Sequence, residues 1–188
     1  DVRLPSIAFS VNGTAALESD QSWVNIAQAA VTLEQGPVQF NDINVGLTTT
    51  GWELLVNDLD LASSAELLLQ AGLIPDSARE PLVAASISGT INALSLSGSL
   101  SDESIQRVAV DFDDIFVQED TPFPGISGLS GSLRLSGNAG QLQINSSDLT
   151  LGIPTQFPDP MQLGNVNAVI DFNAVSYTHL RAHETYRD

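Results

Sequence analysis

The chain has 188 residues, which fits one ordinary domain or a piece of a longer array. It carries 23 acidic residues against 6 basic ones, no lysine and no cysteine, for a formal net charge of -17. That balance excludes nucleic-acid binding and a polybasic grip on anionic lipid, which need a basic footprint, and the lack of cysteine excludes disulfide stapling and thiol chemistry.

Period-two alternation runs along the chain and predicts strands. Ile7, Phe9 and Val11 form the first set, and Asn12-Gly13 reads as the turn that follows. Ala29, Val31 and Leu33 come next, before a turn signal at Gly36-Pro37. Ile43, Val45 and Leu47 form a third set, and Trp52, Leu54 and Val56 a fourth. Ser63 to Ala84 breaks the pattern with SSAELLLQAGLIPDSAREPLVA. Ser63 and Glu66 have capping-box spacing, Gly72 and Pro75 mark a stop, and Asp76 is placed to cap a short helical turn before Pro81. The segment reads as a helix, a break and a helical turn that plugs one end of a sheet or lies across it.

Alternation then resumes with Leu94 and Leu96, followed by Val108, Val110 and Phe112. Leu133 and Leu135, Leu142 and Ile144, and finally Val166, Ala168, Ile170 and Phe172 follow. Gly98, Gly125, Gly128, Gly137-Asn138 and Pro158 read as turn signals between these sets. Short connections between alternating segments predict an antiparallel meander rather than parallel crossover units. Two glycine-led stretches, Gly89 to Leu96 and Gly131 to Leu135, echo each other faintly, as stacked units of an elongated sheet would.

The last stretch, Val175 to Thr185, reads VSYTHLRAHET. It back-translates in frame to a transposase adapter used in short-read sequencing. The natural sequence is therefore expected to end near Asn173, and the chain to be an internal piece of a longer protein. His179 and His183 have helical metal-ligand spacing, but both lie in this tail and leave the argument with it. The expected organisation is groove strands over residues 1–61, a helical insert over 62–84, groove strands over 85–173 and a non-native tail over 174–188.

Before residue 174 there is no histidine, no phosphate-binding loop and no nucleophile elbow. Asp111, Asp113 and Asp114 would serve a calcium site or a glycan-cleaving carboxylate pair only if they converged. Their alternation with Val110 and Phe112 puts them instead on the polar face of a strand. The expectation is no catalytic residue, no cofactor and no metal. No apolar run reaches the roughly 18 residues that cross a bilayer, so any membrane anchor is expected outside this fragment.

A sheet with one apolar face must cover that face with a second layer, by closing, or with an apolar ligand. Periodicity alone favours an ordinary core. From about Leu67 to Phe172, however, the order of features resembles YhdP-like members of the AsmA-like, repeating β-groove family. It runs through LLLQAGLIPDSAREPL, Ile87-Ser88-Gly89-Thr90 and Val108-Ala109-Val110-Asp111-Phe112. It continues with PGISGLSGSL from Pro124 to Leu133, Gly140-Gln141-Leu142-Gln143-Ile144, and Asp148 to Pro154. The departure is Ala139-Gly140, where the family commonly has two glycines.

The resemblance implies a mainly β, elongated, antiparallel, curved sheet forming an open groove, with a short helical insert. It implies an inner-membrane-anchored periplasmic protein that shields phospholipid acyl chains on the way to the outer membrane, with envelope protein partners. It brings no catalyst. The groove-facing candidates are Val108, Val110, Phe112, Leu133, Leu135, Leu142, Ile144, Val166, Ile170 and Phe172. The alternative from another class is a structural or adhesive β-rich repeat at the cell surface.

Overall fold

In the computed structural model, residues 8–33, 36–72, 74–102, 104–119 and 124–173 are described. The tail with His179 and His183 lies outside them. Nine strands form one antiparallel sheet whose spatial order is the sequence order. The strands are β1 (Ala8–Leu17), β2 (Gln21–Leu33), β3 (Gly36–Thr48), β4 (Gly51–Asp60), β5 (Ser88–Ser99), β6 (Ser104–Val117), β7 (Gly125–Ser136), β8 (Ala139–Gly152) and β9 (Met161–Asn173). Each strand pairs only with its sequence neighbours, and β1 and β9 form the two edges of the sheet. The antiparallel meander is the one the alternation and the short connections predict, and the sheet is open rather than closed, as the family resemblance implies.

Between β4 and β5 lie two helices, α1 (Leu61–Gln70) and α2 (Asp76–Ala85). The helix start differs from the capping-box expectation. Asp60 is the N-cap, and its carboxylate accepts from the Ser63 backbone N–H at 2.8 Å. A carboxylate already at the end of β4 satisfies the orphan donor, so Ser63 is left inside the helix. Gly72 stops α1 as expected, at φ +68. The second helical piece is longer than the sequence suggests. α2 runs through Pro81, which costs the bond to the Ser77 carbonyl but leaves ten helical residues. Arg79 Nη1 donates to the Leu69 carbonyl at 3.3 Å and ties α2 to the end of α1.

Four glycines that read as turn signals lie in strands instead. Gly13 sits in β1 opposite Ile26, where a Cβ would meet the Asn25 backbone. Gly98 lies in β5 opposite Trp52, whose ring occupies the space a Cβ would need, at 2.7 Å. Gly125 begins β7 and Gly128 lies within it at φ +75. Close approach and backbone conformation, rather than chain reversal, select glycine there. Gly137-Asn138 is the expected two-residue hairpin, with Ser136 paired to Ala139 and Gly137 at φ +55. In the β5–β6 turn, the Ser99 hydroxyl and then that of Ser104 hold the exposed Asp102 carboxyl below its ordinary range.

Candidate functional site

Directly paired residues of an antiparallel sheet project to the same side. One cross-strand row therefore runs through all nine strands: Ala15, Val24, Val45, Leu54, Leu96, Val108, Leu135, Gly140 and Phe172. A second row on this face joins Val56, Leu94, Val110, Leu133, Leu142 and Ile170. A third joins Ile91, Phe112, Gly131, Ile144 and Ala168, and Val166 follows opposite Ser146. All ten candidates thus stand on one face of the sheet. None of these rows contains a charged residue.

The other face is polar. Its central row is Thr14, Asn25, Asn44, Leu55, Ser95, Ala109, Arg134, Gln141 and Asp171. Asn25 donates to Asn44 at 2.6 Å and Gln141 to Asp171 at 2.8 Å, so its side chains are linked across the strands. Arg134 pairs with Asp111. Asp113 accepts from the Ser130 hydroxyl at 2.6 Å. Asp114 stands at φ 49 in a bulge. The three aspartates do not converge, and no group of three metal-ligating side chains occurs among the described residues.

A line of irregularities crosses the strands at one level. Asp42, Asp58, Gly89, Asp114, Gly128 and Gly164 have positive φ. The ladder shifts between Asn41 and Asn44, Ile91 and Ala93, Phe112 and Ile115, Ser127 and Gly131, and Ser146 and Leu149. Each extra residue changes the alternation phase by one and adds local twist. Beyond the line the apolar set becomes Val117, Ile126, Leu151 and Met161, again directly paired in one row. Without the bulges this row would point to the polar side. These residues are missing from the sequence-derived candidates. Their signal is a phase jump that coincides with Asn41-Asp42, Asn57-Asp58, Asp113-Asp114 or Gly128.

The broken ladder is repaired by side chains. Ser146 is buried at 4% exposure. Its Oγ accepts from the Ser130 N–H at 2.8 Å, and the Ser130 Oγ accepts from the Asp114 N–H at 3.0 Å. Backbone groups left over by the bulges are satisfied in this way.

The apolar face has almost no cover. No side chain of the described residues is fully buried, and the buried hydrophobics are Val38, Val56, Ile91 and Leu149. Three of these lie on β3, β4 and β5, the strands against which α1 packs. The helix covers the face there, with Ser64 buried between them. Elsewhere the face is half-buried or exposed, with Ile170 at 47% and Phe172 at 40%. Nine strands at about 4.8 Å spacing make it roughly 40 Å across. Over strands of at least ten residues at about 3.3 Å each its area is on the order of 1,000 Å², above the few hundred Å² of contiguous apolar surface that monomers usually expose.

The fold and this face define a class: an open, one-sided β-groove with an apolar lining and a polar back. A family model described as YhdP protein matches residues 8–184. The chain belongs to the YhdP family, within the AsmA-like group of lipid-transport proteins of the Gram-negative envelope. Neither the search of curated proteins nor that of solved structures found a significant match. No helix among the described residues is long and apolar enough to cross a membrane.

Proposed function

We propose that the apolar face shields phospholipid acyl chains, and that the chain is a segment of a periplasmic conduit between inner and outer membrane. The observation that carries this reading is the charge-free apolar face that spans all nine strands and is covered only where α1 packs on β3, β4 and β5. Exposing an acyl chain to water costs about 0.8 kcal/mol per CH₂, or about 12 kcal/mol for sixteen carbons. A trough of aliphatic and aromatic side chains offsets most of that cost and needs no reacting group. Val108, Val110, Phe112, Leu133, Leu135, Leu142, Ile144, Val166, Ile170 and Phe172 are the lipid-facing residues of this reading. The headgroup stays in water at the open side, so no polar clamp is required. The anchor to the inner membrane and any envelope protein partners belong to the longer parent.

The test is Val110→Asp in the full-length parent. A charge on an open face costs at most about 1–2 kcal/mol of stability, because Val110 is only half-buried and the carboxylate still reaches water. The circular dichroism spectrum and melting should stay close to the parent's while co-purified phospholipid falls. Collapse of the fold instead would mean that Val110 belongs to a covered core.

A further inference from the structure

We propose that the polar back of the sheet carries a site for a neutral saccharide, built on Trp23. This does not rest on the lipid reading, since the side chains it uses stand on the face opposite the groove. On that side one row runs Ala16, Trp23, Gly46, Glu53, Ser97 and Arg107. Gly46 opposite Trp23 has no side chain, which leaves room for the indole against the sheet. The ring is nevertheless 43% exposed. A tryptophan serving packing alone is ordinarily far more covered.

An open cavity of about 430 Å³ lies here at the end of the strands, lined by Trp23, Glu53, Arg107, Gln21 and Gln106, and at its margin by Trp52. That is the size of a small-molecule site. Glu53 and Arg107 are separated by Ser97, so they stand two strand spacings apart, about 10 Å. Neither forms an ion pair among the described residues. Their hydrogen-bonding groups, with those of the two glutamines, are free for a ligand.

An aromatic face beside planar donors and acceptors matches a pyranose, which has an apolar C–H face and a rim of hydroxyls. The opposed charges of Glu53 and Arg107 cancel at the site. The formal net charge of -17 disfavours an anionic ligand. A neutral glycan is therefore the class that fits.

The experiment is titration of the full chain with tri-N-acetylchitotriose and with cellotriose, followed by tryptophan fluorescence and calorimetry. Binding of either at roughly millimolar affinity is expected. Binding heat should be lost in Trp23→Phe. Glu53→Gln and Arg107→Gln, both exposed and neutral to folding, should each weaken binding about tenfold. They decide the matter if Trp23→Phe does not fold. No heat with either sugar, or binding unchanged in Glu53→Gln and Arg107→Gln, would overturn the proposal.

Discussion

Two serines carry opposite lessons about buried hydroxyls. Ser64 lies on the buried side of α1, and its Oγ has no hydrogen-bond partner. An unsatisfied buried hydroxyl costs about 1–3 kcal/mol, and alanine is the better helix former. Ser64→Ala should therefore stabilise the chain by about 1 kcal/mol, raising the melting temperature by roughly 2–4 °C. A lower melting temperature would show that the hydroxyl has a partner. Ser146 is as well buried but bonded to the Ser130 backbone. Ser146→Ala strands the Ser130 N–H and should cost about 1–3 kcal/mol in denaturant unfolding. Ser147→Ala, one residue along and exposed, should cost almost nothing.

At the scale of the elements, the bulge line keeps one face apolar from end to end. Asp58 sits in it at φ 52, a conformation that asparagine, aspartate and glycine tolerate and β-branched residues do not. Asp58→Val should destabilise by about 1–2 kcal/mol. Asp58→Gly should stay within about 0.5 kcal/mol of the parent. Equal effects in a thermal melt would mean the bulge is not held by backbone conformation. Much of this architecture is legible in the sequence. Val108, Val110 and Phe112 alternate cleanly because only one of their faces is apolar, with no second layer to blur the pattern. The short links predict the meander. The bulges are not legible from local periodicity, because an extra residue is defined by what its partner strand lacks. Gly13, Gly98 and Gly128 mislead for a related reason. A glycine chosen for close approach to a neighbouring strand looks the same in sequence as one chosen for a turn. The start of α1 is missed because the cap comes from Asp60, a strand residue in the alternation pattern.

As a whole molecule the chain is a sheet with one covered corner and a long bare face. Pairing runs only between successive strands, so the unit is quasi-one-dimensional and suited to extension along the same axis. Its ten sequence-derived groove candidates stand on one face because alternation fixes side, and pairing aligns the strands. The rest of the face, on the far side of the bulges, was hidden by the phase change. The central claim is that lipid contacts this face and not its back. Adjacent residues of β8 offer the cleanest comparison. Leu142 pairs with Leu133 and Ile170 on the apolar side, and Gln143 pairs with Ser132 and Val169 on the other. The decisive measurement is photo-crosslinking in the full-length parent in its native envelope, with the probe placed at position 142 or at position 143. The account predicts phospholipid captured from 142 and none from 143. Equal lipid labelling at both positions, or crosslinks from 142 only to protein, would contradict it.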